Sequence, residues 1–412
     1  MKPQAILILF LSLFFLELIW EQFLLWLNLR HARSCKDNPP ELAVEIWGRQ
    51  DYQRAVDYSR SKTYLAVISS LVGSGLVLLL VSSGWLGTLE SWVSSLAVGT
   101  ILQGILYVYL ISLIFGVVSL PSMIYAQFVI EARYGFNRMT WKLFILDGLK
   151  SLLVSLVLIT PLLALLFLLI RAGALWWLWG FILFTAFQLV MIVLYPKVIA
   201  PLFNKFTPLE EGSLKEKVRA LADHLGFKTR GIFVMDGSKR SRHSNAYFSG
   251  LGRVKRIVLF DTLIRSLAED QVAGVLAHEI GHEKLGHILK RLALSVSSGL
   301  LGFWLVSLLL NYSPFFEAFN FSGPSPQAVL VLVMFVSGPF TFYLKPLFSW
   351  WSRRHEYQAD HFVKSRTRYG KAFQTALKRL SKDNLSNPVP HPLYSFYHYS
   401  HPTTLERIRA LN

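Results

Sequence analysis

Ala277-His278-Glu279-Ile280-Gly281-His282 is the stretch on which the reading of this chain turns. Two histidines four residues apart leave the same side of an α-helix about one turn apart, so their imidazoles can grip one zinc ion. Glu279 follows the first histidine and can reach a water on that zinc. Zinc lowers the pKa of its water from about 15.7 to roughly 7, and a carboxylate beside it can take the proton as attack begins. The pattern therefore predicts metal-assisted hydrolysis. It also requires a helix, and the neighbouring residues supply one. Ser266 and Glu269 have the spacing of a capping box, which starts the helix at Leu267, while Val272, Val275, Leu276 and Ile280 recur at helical spacing. Gly281 and Gly286 each weaken such a helix by about 1 kcal/mol relative to alanine, which points to close approach of another backbone.

Around this polar motif the chain is strongly apolar. Of its 412 residues, 53% are hydrophobic and only 16% charged, a balance that excludes an ordinary soluble enzyme and predicts several membrane spans. Seven stretches reach the required length: 4–29, 64–87, 97–119, 151–170, 174–196, 291–311 and 327–345. The first follows a single Lys2 and lacks a small-residue cleavage site, so it is expected to be retained. Glu17 and Glu21 share one face of it. Carboxylates within a membrane point to protein or water, so these two are expected to face a polar cavity, unless Glu21 sits at the interface beside Trp20.

The net charge of +17 raises the question of nucleic acid, but the basic residues are spread over loops, with no basic arm and no zinc-finger spacing. No nucleic acid partner is expected, and anionic membrane lipids are the plainer one. Seven spans put the termini on opposite sides. The basic loop 30–63, the loop before Lys150, the block 197–290 and the tail from Pro346 then fall together, with the nearly uncharged connections 88–96, 171–173 and 312–326 opposite. Short basic loops mark the cytoplasmic side, so the histidine motif is expected to face the cytoplasm and Met1 the other side. Cys35 is the only cysteine, which excludes an intramolecular disulfide and a thiolate metal site. Within the polar block, Ser213–Leu225 reads as a helix and Gly231–Met235, Ser244–Phe248 and Val254–Phe260 as short strands.

A catalytic zinc usually has three protein ligands and an open position. His287 is near in sequence, but on a continuous helix it lies about 180° around from His278, and Glu283 is likewise poorly aimed. Glu356, in Arg354-His355-Glu356-Tyr357-Gln358-Ala359-Asp360, is the better candidate, with Asp360 on the same face able to accept a hydrogen bond from a ligating histidine. Taken alone, an acidic pair at this spacing is as readily a solvated helix face.

Several separated stretches together resemble the type I CAAX prenyl protease family: YPKVIAPLFNKFTP at 195–208, KRSRHSNAYFSGLGRVKRIVLFDT at 239–262, HEIGHEKLGH at 278–287, EYQAD at 356–360 and HYSHPTTLER at 398–407. The resemblance implies a mainly α, polytopic membrane protein, with seven transmembrane helices around an intramembrane chamber and a zincin-like (gluzincin) catalytic domain containing a small β-sheet. It implies one catalytic Zn2+ on His278, His282 and Glu356, with Glu279 as general base and Asp360 behind a ligand. His401 and Arg407 resemble the residues that face substrate near the metal, where an imidazole or guanidinium would stabilise an oxyanion. Thr403 and Glu406 can cap a terminal helix just beyond His401. Asn245, Ala246, Tyr247 and Phe248 resemble the edge strand that binds an extended peptide by β-augmentation, or form an ordinary amphipathic strand. Asn137 lies in another family-like segment whose role the residues do not give.

The division this implies is 1–196 for transmembrane helices 1 to 5, 197–290 for the catalytic domain, 291–345 for helices 6 and 7, and 346–412 for a C-terminal cytoplasmic segment carrying the third ligand. The expected function is a membrane-embedded zinc metalloendopeptidase acting on peptides or membrane-anchored proteins, prenylated ones included. Its shortness and the sequence Ala410-Leu411-Asn412 at the end point to a bacterial inner membrane, or the endoplasmic reticulum if the chain is eukaryotic. Two alternatives stand beside it. One is a quality-control metalloprotease of the heat-shock type, which has fewer spans. The other is a non-enzymatic barrel or transporter with a closed, structural zinc.

Overall fold

In lipid a backbone has to satisfy its own hydrogen bonds, so a long apolar run becomes a helix. The computed structural model describes residues 1–249 and 255–412, and seven of its helices are long and apolar enough to cross a membrane. Five precede the polar block: α1 (Pro3–Asp37), α2 (Arg49–Ser82), α3 (Thr100–Arg133), α4 (Trp141–Ala172) and α5 (Trp176–Phe203). Most outrun the expected spans, because a helix does not end where lipid does. The second stops early, at Ser82 instead of 87, where Gly84 turns the chain at φ +74°.

The polar block then builds β1 (Phe206–Pro208), α6 (Ser213–His224), β2 (Ile232–Met235), β3 (Ala246–Ser249), β4 (Arg256–Phe260) and the histidine helix α7 (Glu269–Lys284). The sheet order is β1-β2-β4-β3, with β2 and β4 parallel and the outer pairs antiparallel, so β3 is an edge. Three strands fall near their expected places, although the third begins at Ala246 and not Ser244, and Val254 lies outside the described residues. β1 was not expected, since three residues ending in proline carry no alternating pattern.

Two spanning helices follow, α8 (His287–Leu310) and α9 (Pro326–Arg366), then α10 (Gly370–Asp383) and α11 (Thr404–Leu411). α9 runs unbroken for 41 residues through Pro339 and Pro346, capped by Ser325, whose hydroxyl accepts from Ala328 N at 3.1 Å. The expected boundaries at 290/291 and 345/346 therefore fall inside helices.

Two cores result. One joins α7, α10 and the sheet through Leu259, Leu263, Leu276 and Phe373; the other closes the far end of the bundle through Phe10, Tyr107, Phe316 and Phe319. The connection 312–326, expected as a plain loop, is thus an apolar plug. Met1 bonds the Tyr312 hydroxyl there, and Gln327 Nε2 donates to Glu90 at 2.8 Å, which gathers the connections 88–96 and 312–326 and the N-terminus at one end. At the other end Lys382 meets Asp51 at 3.0 Å and Lys378 meets Glu45 at 2.7 Å, joining the 30–63 loop to the tail.

Candidate active site

Helix α7 starts later than its sequence suggests. Ser266 belongs to a separate short helix, Asp261–Ser266, and its hydroxyl bonds back to Leu263 O at 3.3 Å, so the expected Ser266/Glu269 capping box does not form. The flanking residue is Ala268, whose N–H is taken by Gln271 Oε1 at 3.0 Å, and Glu269 and Asp270 fill the first turn. Nine of its sixteen residues are buried, among them Val272, Val275, Leu276 and Ile280. The close approach inferred from glycine occurs at Gly274, where an added Cβ would stand 3.0 Å from the backbone of Phe373; Gly281 faces the Phe362 side chain. Gly286 is outside the helix, at φ +71°, and turns the chain into α8.

His278 and His282 then project together, as their spacing predicts, with Nε2 atoms 3.2 Å apart. Glu356, 2% exposed near the end of α9, closes the triangle: Oε2 lies 3.4 Å from His278 Nε2 and Oε1 3.2 Å from His282 Nε2. Hydrogen-bond accounting shows what this triangle wants. His278 Nδ1 donates to Asp360 Oδ1 at 2.8 Å, leaving its Nε2 with a lone pair. His282 Nδ1 is likewise engaged, 2.9 Å from His287 Nδ1. Two lone pairs and a carboxylate converging at this range repel unless a cation sits among them, and two imidazoles with one carboxylate are a donor set that suits a divalent metal. Burial and Arg407 push the His278 pKa down, but Asp360 and Glu356 outweigh them and raise it, as a site that attracts positive charge does. His287 is not part of the triangle, as expected, but the stated reason does not hold, because the helix ends before it.

Arg407, in the first turn of α11, donates Nε to Asp360 Oδ2 at 2.8 Å and Nη2 to Oδ1. Its 3.3 Å approach to His278 Nδ1 is a contact of two donors aimed at the same carboxylate. Nη1 comes within 4.0 Å of Glu356. The cap expected for α11 forms, Thr403 Oγ1 accepting from Glu406 N at 3.3 Å and Thr403 N donating to Glu406 Oε2 at 2.7 Å. It fixes the segment that brings His401, whose Nε2 is 3.4 Å from Glu356 Oε1 while Nδ1 is 2.9 Å from the Ser400 hydroxyl.

His278, His282, Glu356, His401 and Arg407 line one cleft of about 370 Å³ together with Glu279 and Asn245, Ala246, Tyr247 and Phe248. Burial raises the Glu279 carboxyl above its ordinary range, against the pull of His278 and His282. Asn245 O accepts from Phe260 N at 3.1 Å, so by the antiparallel alternation the main chains of Ala246 and Phe248 turn outward, and Asn245 Oδ1 takes the Ala246 N–H at 2.8 Å. Sequence reasoning missed what holds this strand. Asn384 Oδ1 accepts from Ser244 N at 3.0 Å and its Nδ2 donates to Ser244 O at 3.3 Å, across 140 residues that carry no local signal. Asn137 proves to be a loop brace, its Oδ1 accepting from Gln127 and Met139 N, both at 2.7 Å. Glu21 Oε2 lies 3.2 Å from His398 Nε2, and with Glu17 it borders a separate cavity of about 600 Å³ among α1, α2, α3 and α9.

Residues 28–205 match the family model described as CAAX prenyl protease N-terminal, five membrane helices, and residues 208–412 match that of peptidase family M48. A human CAAX prenyl protease 1 homolog is 34% identical, covering 95% of this chain and 92% of its own length. The Saccharomyces cerevisiae CAAX prenyl protease 1 is 36% identical over 91% of this chain and 88% of its own. The crystal structure of S. mikatae Ste24p superimposes with a TM-score of 0.91 at 32% identity, covering 100% of this chain and 99% of that one.

Proposed function

The chain belongs to peptidase family M48, in its CAAX prenyl protease branch, and is a multi-pass membrane metalloendopeptidase; from that premise we propose that its metal is one zinc ion held by His278, His282 and Glu356. The observation that carries this is the convergence of two Nε2 lone pairs and a buried carboxylate within 3.4 Å of one another. Zinc held there supplies a Lewis acid that acidifies water and polarises a carbonyl.

The rest falls to the chain's own groups. Glu279 in its ionised form takes a proton from the attacking water and returns it to the leaving amine, ending as it began. His401, whose Nδ1 lies 2.9 Å from the Ser400 hydroxyl, can with its Nε2 protonated join Arg407 in donating to the carbonyl oxygen as negative charge grows there. Asp360 holds Arg407 and His278 in the orientations this needs. The substrate is a peptide segment extended along β3, where the outward carbonyl of Ala246 and the outward main-chain groups of Phe248 give it a register. The apolar cavity beside Glu17 and Glu21 is of a size to take an isoprenoid chain, which supports a prenylated substrate. The basic loop 30–63, the block 197–290 and the basic tail support a cytoplasmic orientation of the cleft.

Glu279→Gln tests the mechanism. Purified in detergent, this variant keeps its zinc and loses about 10²- to 10⁴-fold in turnover of a quenched peptide; undiminished turnover refutes the assignment. A reporter fused after Asn412 that reads extracytoplasmic refutes the orientation.

A further inference from the structure

The two histidines of the triangle are braced differently. His278 leans on the Asp360 carboxylate, whereas His282 leans on a second imidazole, that of His287. His282 Nδ1 lies 2.9 Å from His287 Nδ1, and His287 Nε2 lies 3.0 Å from Gln358 Oε1. An amide oxygen only accepts, so His287 carries its proton on Nε2 and offers a lone pair at Nδ1. His282 must then donate from Nδ1, which leaves its own Nε2 lone pair turned toward His278 and Glu356. His287 has no freedom to do otherwise. It is 1% exposed, and its ring is stacked on His355 at 4.0 Å and 10°. The turn at Gly286 makes the arrangement, since a continuous helix would have carried His287 to the opposite face.

We propose that His287, held by Gln358 and clamped against His355, is a positioning residue that fixes the tautomer and ring plane of His282 for the metal. This rests on the zinc assignment above. The relay crosses three elements: α7 supplies the ligand, the first residue of α8 the brace, and α9 both the brace's anchor and the third ligand. A ligand's outer partner of this kind typically accounts for 10- to 100-fold in metal affinity.

The test uses the full chain in detergent, stripped by chelation, with zinc affinity measured against a chromophoric chelator and the visible spectrum recorded with cobalt(II). His287→Phe fills the space without an acceptor, and it is expected to weaken zinc by about 10- to 100-fold and to change the cobalt bands. His287→Asn offers an amide oxygen where Nδ1 stood and recovers most of the loss. A purely structural role would make the two variants alike in affinity while both lower the melting temperature. Affinity within about twofold of the parent for His287→Phe, or equal weakening by Phe and Asn, overturns the proposal. Gln358→Leu keeps the ring and releases the tautomer; it is expected to weaken zinc by less than His287→Phe, and it decides the matter if His287→Phe does not fold, an unchanged affinity then overturning the proposal. His282→Ala separates the two levels. If it leaves zinc binding intact, the metal assignment itself falls; if it abolishes binding while His287→Phe does not, only the relay falls.

Discussion

Helix α7 and helix α9 meet at the proposed metal triangle of His278, His282 and Glu356 but reach it in opposite ways. α7 is sixteen residues long, buried on most sides, and polar where its chemistry lies. α9 is 41 residues long, with one buried cluster near its start, at Ala328, Val329, Val331 and Leu332, another near its end, at His355, Glu356, Ala359, Asp360 and Val363, and single buried residues between the two at Pro339, Phe342, Pro346 and Ser349. Between the clusters Met334, Phe340, Leu344 and Leu347 face outward as lipid-contacting residues do. The catalytic unit is therefore not a soluble domain tethered to a membrane. One of its walls is the protruding end of a spanning helix, and the register of that helix is part of the site.

The largest effects follow from breaking that register. Glu356→Ala removes a proposed ligand and is expected to abolish both bound metal and turnover. Inserting one alanine between Leu347 and Phe348, nine residues away and in lipid, rotates the helix end by about 100° and is expected to do the same. Metal content per chain measures both, and an insertion variant with full metal would show that the two helices are not coupled. Asp360→Asn comes next. It keeps the ligands but takes away the charge shared by His278 and Arg407, so metal affinity falls by about 10- to 100-fold while the fold survives. Chelator competition reads this out; an unchanged affinity would mean that His278 needs no brace.

The same contrast explains what the sequence disclosed. His278, Glu279 and His282 were legible because one turn of helix relates them, and the spans because lipid leaves a long apolar run no other structure. Thr403 and Glu406 were legible as a local cap. Continuity of α9 was not, because the change from Leu347 to the arginines at 353 and 354 reads as an exit from the membrane, and a helix can continue through such a change unbroken. The start of α7 was misread because Ser266 serves the preceding helix, and His287 because a single glycine at φ +71° resets the geometry. Asn384 had no local signal at all.

A smaller effect separates the helices by packing. Gly274 in α7 has the Phe373 backbone 3.0 Å from where a Cβ would stand, whereas Gly338 in α9 has nothing within 4 Å. Gly274→Ala is expected to destabilise by about 1–3 kcal/mol through overpacking, and Gly338→Ala to stabilise by up to about 1 kcal/mol through helix propensity. Thermal melts of the two variants with opposite signs would bear this out; equal shifts would contradict the packing contrast.

The smallest effect concerns Glu279, which α7 buries. Burial holds its carboxyl above the ordinary glutamate range, more strongly than His278 and His282 draw it down. An acid whose folded pKa is raised binds its proton more tightly folded than unfolded. In the metal-free chain the stability it contributes is thus fully present below the unfolded value and is lost as pH rises through the folded one. Glu279→Gln is neutral at every pH and has no such slope. The melting temperature of the parent is therefore expected to fall relative to Glu279→Gln as pH is raised from the acid side toward neutrality, and parallel melting profiles would show that the carboxyl carries no burial cost. Catalysis needs the opposite state. A general base must be ionised, so in the metal-loaded enzyme kcat/KM is expected to fall as pH drops and the carboxylate takes up its proton. The proposed general base is held where folding disfavours its active form, and the positive charge of the proposed metal would offset that conflict.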